Sequence, residues 1–142
     1  MSTANYLVLL DAWHTIRMSV HESERAWSRS FNLDPDAVVD NAAKAVDAIA
    51  DANAGAEKEV AVLLVQLDPA SGSDITVQAE VNGVELFQAK LVGGVNRSRI
   101  EPFRARLLRW QNNSIVLRLY AGDGSARVGK AVLWFHTQAP AA

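Results

Sequence analysis

The spacing of the apolar residues changes at Glu59, and this change limits the fold more than any other feature of the chain. The stretch "EVAVLLVQLD" (59–68) is apolar on both parities, and Ile75 to Val81 alternates strictly between apolar and polar residues. Both patterns are typical of β-strands. Asn82-Gly83, a strong hairpin signal, follows directly. With "VELFQAKLV", "IEPFRARLLRW", "NNSIVLRLYAG" and "ARVGKAVLWFHT" as further strands, the sequence predicts an antiparallel β-sandwich of seven to eight strands.

One α-helix is predicted before these strands, at about residues 35–54. Asp34 is a candidate N-cap, Pro35 fits the first helical position, and Gly55 ends the helical pattern. Acidic residues lie around the polar side of this helix. Its other side carries a narrow apolar stripe, formed by Val38, Val39, Ala42, Val46, Ile49 and Ala50. We expect one domain, 1–142, in which this helix is an insertion.

Residues 6–33 are compatible with two interpretations. They can form a helix, but Val, Ile, Thr and aromatic residues recur and no helix cap is evident. We therefore predict two strands, at about 6–18 and 24–33, joined by the polar turn "HESE".

Composition excludes several kinds of chemistry. The 142 residues are 49% apolar and include no cysteine, which excludes disulfides, zinc–thiolate sites and cysteine nucleophiles.

The N-terminal stretch does not resemble a secretory signal, because its apolar run ends at Asp11. No stretch approaches the roughly 18 apolar residues that cross a bilayer. We expect a protein made in the cytoplasm without a signal peptide and without a membrane partner.

The residues Gly124 to Lys130 match the G-x-x-x-x-G-K frame of a phosphate-binding loop. Such a loop leads into a helix and places a Ser or Thr hydroxyl after the lysine to hold magnesium. Here Ala131 occupies the hydroxyl position, and "AVLWFHT" is typical of a strand. We therefore predict that "AGDGSARVG" is a turn between two strands and that no nucleotide binds.

Other catalytic constellations are not evident. His21 beside Glu22 and Glu24 would make only a weak two-ligand metal site, and no G-x-S-x-G elbow occurs. We expect a protein that is not an enzyme and that holds no cofactor and no metal.

Charge divides the chain into two unlike halves. Residues 1–68 carry 5 Lys/Arg against 11 Asp/Glu (net −6), and residues 69–142 carry 9 against 5 (net +4). Such asymmetry is compatible with contacts between copies or with an anionic partner, and the arginine-rich stretch is equally compatible with a solvated strand and loop. The candidate contact residues are five clustered arginines and two tryptophans: Arg97, Arg99, Arg104, Arg106, Arg109, Trp110 and Trp134.

The stretch from Asp74 to Phe135 resembles the galactose-binding-domain-like jelly rolls of carbohydrate-binding modules. The resemblance rests on "ITVQAEVNGVELF", "RIEPFRARLLRWQNNSIVLRLYAGDG" and "KAVLWF". It implies a jelly-roll β-sandwich. The predicted helix interrupts the family's succession of strands, and none of the family's sugar-binding or calcium-binding residues can be carried over.

Two hypotheses for function follow. The first is a non-enzymatic structural protein that assembles with itself and with other subunits such as a capsid protein, for example a bacteriophage head-decoration or neck component of the virion. The alternative is a glycan-binding module with an aromatic platform at Trp110 or Trp134 and the loops "GGVNRSR" and "AGDGS". Nucleic acid is a less favoured partner, because the overall charge is negative and few aromatic residues lie among the arginines.

Overall fold

The protein is a β-sandwich of two antiparallel sheets. The computed structural model describes residues 2–33, 60–71, 74–91, 97–109 and 111–138. These contain nine strands: β1 (Ser2–Leu10), β2 (His14–Arg17), β3 (Ala26–Phe31), β4 (Val60–Ser71), β5 (Thr76–Val81), β6 (Val84–Lys90), β7 (Arg97–Arg104), β8 (Asn113–Ala121) and β9 (Ser125–Gln138). The predicted antiparallel jelly-roll sandwich is thus confirmed. The predicted helix at about 35–54 lies outside the described residues.

Each sheet contributes one buried face to the core. The five-stranded sheet has the order β1-β9-β4-β7, and β2 pairs with β9 on the edge that β1 also uses. The four-stranded sheet has the order β3-β8-β5-β6. Alternate residues of the central strands point inward, among them Leu63 and Val65 of β4 and Ile115 and Leu117 of β8, all fully buried.

The Asn82-Gly83 hairpin forms as predicted. Val81 pairs with Val84, and both turn residues have positive φ, 51° at Asn82 and 79° at Gly83. This is the backbone that a two-residue type I′ turn requires, and asparagine and glycine adopt it most readily. The turn therefore fixes the register of β5 against β6.

The N-terminal region forms strands, as predicted, but with other boundaries. The expected strand at 6–18 is divided into β1 and β2, because the chain leaves the sheet at Asp11–Trp13 before it pairs again with β9. The "HESE" turn contains a single helical turn, α1 (Glu22–Arg25), so that β3 begins only at Ala26. Because the first predicted strand is divided in two, the described residues contain nine strands rather than the predicted seven to eight.

The strand predicted in "IEPFRARLLRW" ends earlier than its composition indicates. β7 ends at Arg104, and Ala105–Leu107 forms one turn of 3-10 helix that the backbone N–H of Leu108 closes by donating to the Ala105 carbonyl at 2.9 Å. Ala105 and Leu108 are buried there and anchor the connection to the core.

No helix in the described part of the chain is long and apolar enough to cross a membrane.

Candidate functional site

The outer face of the five-stranded sheet carries two apolar rows that cross four strands. Tyr6 pairs with Trp134, Trp134 with Val62, and Val62 with Pro102. Paired residues share a face, so these side chains lie side by side. The neighbouring row is built in the same way. We name these residues the apolar face: Tyr6, Val8, Val62, Leu64, Ile100, Pro102, Val132 and Trp134.

The apolar face is exposed to an unusual degree for its composition. Tyr6 is 65% exposed, Ile100 61% and Trp134 50%. The strand spacing of about 4.8 Å and the rise of about 3.4 Å per residue give the two rows a footprint on the order of 300 Å². Apolar patches of this size on a monomer are often functional. The Tyr6 and Trp134 rings, with centroids 5.6 Å apart and planes inclined by 37°, form its aromatic end.

Trp13 lies beyond this face, on the same side of the sheet. A Cβ atom at Gly129 would come within 2.9 Å of Cε3 and 3.0 Å of Cδ2 of its indole. The six-membered ring therefore lies directly over the backbone of β9, where only glycine leaves room for it. Trp13 as a residue is 44% exposed, so the side chain packs against β9 while part of it remains open to solvent.

Arg127 holds the ring from a second direction. Its guanidinium carbon lies 5.3 Å from the centroid of the Trp13 ring, within the range of a cation–π contact. Asp68, which is buried, forms an ion pair with Arg127, and the Arg127 Nε–H donates to its Oδ2 at 3.0 Å. The indole, guanidinium and carboxylate thus form one connected group on the sheet surface.

A shallow cavity of about 100 Å³ opens beside this group. Four residues line it: Trp13, Gln66, Arg97 and Ser98. We name it the Trp13 cleft. Gln66 and Ser98 are partners in the β4–β7 register, and Arg97 begins β7. The cleft therefore combines an aromatic wall with an amide, a guanidinium and a hydroxyl, which together donate and accept hydrogen bonds.

The frame Gly124–Lys130 forms no phosphate loop. Only Gly122–Gly124 lie between β8 and β9, and Ser125 to Lys130 are part of β9. The predicted turn is confirmed, but it is shorter than "AGDGSARVG". The β4–β9 register shifts between the Leu64–Val132 pair and the Gln66–Gly129 pair, and Lys130, which lies within this shift, has a φ of 41°. Gly129, the second glycine of the frame, instead leaves room for the Trp13 ring against β9.

The five candidate arginines do not gather at one site. Arg97 lines the Trp13 cleft, whereas Arg99 pairs with Glu101 at 3.0 Å and lies 4.9 Å from the centroid of the Phe87 ring. The exposed Arg104 and Arg106 line a depression with Val84 and Leu107. Arg109 is exposed, and its backbone is held by Asn113. The cluster in the sequence is therefore spread over separate surfaces.

The structure describes one of the two candidate tryptophans. Trp134 is exposed on the apolar face, and Trp110 lies outside the described residues. Of the loop "GGVNRSR", residues 97–99 belong to β7, and the preceding ones lie outside the described residues. Tyr6, Trp13 and Gln66 are not among the contact residues predicted from the sequence. Trp13 had one signal in the sequence, because it lies three residues after Leu10, the last residue of the apolar run that Asp11 interrupts.

Comparisons with known proteins add a likeness of fold. No protein-family model matches the chain, and no curated protein matches it. Among solved structures, a native family 35 carbohydrate-binding module from Clostridium thermocellum is similar, with a TM-score of 0.47 and 11% sequence identity. The alignment covers 92% of this chain and 98% of that one. This similarity identifies no ligand and no binding residue of this chain.

Proposed function

We propose that this chain is a non-catalytic glycan-binding module and that its ligand binds at the Trp13 cleft. The observation that carries the proposal is the fixed, half-exposed indole ring beside the polar groups of Gln66, Arg97 and Ser98. A sugar ring presents an apolar C–H face as well as hydroxyl groups. An aromatic wall with adjacent donors and acceptors is complementary to both.

The immobilisation of Trp13 supports a role in binding. Gly129 lies against one part of the ring, and Arg127, held by Asp68, restrains it further. A side chain that is already ordered loses little conformational entropy when a ligand arrives, which favours affinity. The open part of the ring, rather than the part over Gly129, is then the surface for the sugar.

The test is a titration of the full chain with a panel of mono- and oligosaccharides. Tryptophan fluorescence and calorimetry measure binding during the titration. Trp13→Ala should weaken binding by at least about tenfold, as expected for an aromatic anchor. Trp134→Ala is the matched control, because Trp134 is similarly exposed on the same sheet but does not line the cleft. We expect it to bind as the wild type does. Absence of binding to every glycan would contradict the proposal.

Assembly into a virion as a structural protein is a second candidate function. The feature that favours it is the apolar face, since a partner subunit can bury such a surface. If the chain assembles through this face, Ile100→Glu should abolish self-association or incorporation into particles, and sedimentation velocity measures this directly. A wild-type chain that sediments as a monomer at all concentrations, with no capsid, portal or tail genes beside its own, would contradict this candidate.

A further inference from the structure

The outermost strands of the two sheets differ in how well their edges are protected. An outermost strand leaves a row of backbone N–H and C=O groups unpaired, and charged side chains and proline protect such a row from pairing with another chain. Among the described residues, β7 carries Pro102 and four charged side chains, β6 carries Glu85 and Lys90, and β3 carries Arg29. The edges of these three strands are therefore protected.

The fourth outermost strand, β1, has no such protection. Its nine residues include no charged residue and no proline. It pairs with β9 on one side and, in the described part of the chain, with no strand on the other. The guanidinium of Arg29 donates to the Leu9 carbonyl, so the edge is covered at that point. The open edge therefore runs from Ser2 to Val8, a length of roughly 20 Å at about 3.4 Å per residue.

An uncharged open edge is complementary to a second copy of itself. Two antiparallel copies of one strand, related by a two-fold axis, exchange N–H···O=C hydrogen bonds symmetrically. Because β1 is uncharged, no like charges oppose each other across such a pair. Two copies of β7 would instead bring arginines together, which is unfavourable. The occupant that best fits the open edge is therefore β1 of a second molecule.

We propose that two copies of this chain pair antiparallel through residues 2–8 of β1 and so join their five-stranded sheets into one continuous sheet. Both copies then present the apolar face on the same side, with Tyr6 and Trp134 of each molecule near the two-fold axis. Assembly stops at the dimer, because β7, the other edge of this sheet, carries Pro102 and charged side chains. The contact uses the edge of the sheet rather than its face, and it uses no residue of the Trp13 cleft.

Sedimentation velocity of the full chain over a range of concentrations provides the test. The wild type should change from monomer to dimer as the concentration rises. The double variant Tyr6→Lys/Val8→Lys should weaken dimerisation at least about tenfold, because it places lysines of both copies beside the two-fold axis. Ile100→Lys is the matched control and should dimerise as the wild type does. Ile100 is 61% exposed on the same face, against 65% for Tyr6, but it lies on β7.

Three results of this comparison would overturn the proposal. The first is a wild-type chain that stays monomeric at all concentrations. The second is a dimer that Ile100→Lys abolishes and Tyr6→Lys/Val8→Lys retains, which would support assembly through the apolar face instead. The third is an oligomer that grows beyond the dimer, because the protected edge at β7 should prevent such growth.

Hydrogen exchange of the unsubstituted chain supplies a second measurement in case the lysine variant does not fold. Alternate N–H groups of an outermost antiparallel strand point away from its neighbour, so these amides of β1 should exchange rapidly in the monomer. We expect their exchange to slow as the protein concentration rises, while the amides of β7 keep their rates. Rates in β1 that do not depend on concentration, or slowing confined to β7, would overturn the proposal.

Discussion

The face of the Trp13 ring lies on the backbone of Gly129, so close that a β-carbon there would come within 2.9 Å of the ring. This contact joins the β1–β2 connection to the centre of β9. It places an aromatic wall beside Gln66, Arg97 and Ser98. The proposed ligand site therefore depends on the absence of a side chain at Gly129.

Gly129→Ala should displace the indole and destabilise the protein by about 1–3 kcal/mol, because an added methyl overfills the contact. The same substitution in a Trp13→Ala background should cost less than about 0.5 kcal/mol, since the clash is gone. Urea unfolding of the four proteins in this cycle measures both values. Equal costs in the two backgrounds would show that Trp13 does not occupy this position.

Arg127→Ala should destabilise the protein by about 1–3 kcal/mol, because it leaves the buried carboxylate of Asp68 without its cation. The loss stays below that of a fully buried pair, since Arg127 is partly exposed. The double variant Asp68→Asn/Arg127→Ala should lose less than the sum of the single variants. Additive losses in chemical denaturation would contradict a coupled pair.

Asn113→Ala should cost about 2–3 kcal/mol, because the buried amide of Asn113 closes the turn before β8. It accepts from the Arg109 N–H at 2.8 Å and donates to the Arg109 carbonyl at 2.7 Å. It also accepts from the Asn82 amide at 3.0 Å. Truncation leaves several polar groups unsatisfied. Asn32→Ala, which removes one exposed bond to the Asn112 N–H, is the control and should cost less than about 1 kcal/mol.

The sequence predicts the sandwich well because its signals are local. Strict alternation from Ile75 to Val81 sets the faces of β5, and Asn82-Gly83 sets the hairpin, since each depends only on neighbouring residues. The end of β7 is different. Arg104 to Leu107 have apolar and β-compatible neighbours, yet the burial of Ala105 and Leu108 ends the strand. Such burial depends on the opposite layer and is not encoded locally.

The candidate site is less accessible to sequence analysis, for a physical reason. The five arginines from Arg97 to Arg109 are close in sequence, but alternation along β7 and the turn after it send them to different surfaces. Conversely, Trp13, Gln66 and Ser98 are far apart in sequence and meet only through the pairing of β4, β7 and β9. Of the two candidate tryptophans the structure describes Trp134, which is exposed on the apolar face.

Glu85 gives an expectation for pH. Hydrogen bonds from the Gln78 amide at 2.7 Å and from the Gln88 amide at 2.6 Å favour the charged carboxylate and lower its pKa below the usual value of about 4.3. Its contribution to stability is therefore present above the unfolded-state pKa and is lost as the pH falls through the lower, folded-state pKa. Gln78→Ala should raise the pKa of Glu85 toward the usual value, as carboxyl chemical shifts report. An unchanged titration would contradict this assignment.

The most direct test of the central claim is a comparison of glycan binding by the wild type, Trp13→Ala and Trp134→Ala under identical conditions. The wild type should bind at least one glycan of the panel with a change in tryptophan fluorescence. Trp13→Ala should lose affinity by about tenfold or more, and Trp134→Ala should retain it. Binding that survives Trp13→Ala unchanged, or that is lost in Trp134→Ala instead, would contradict the assignment of the ligand to the Trp13 cleft.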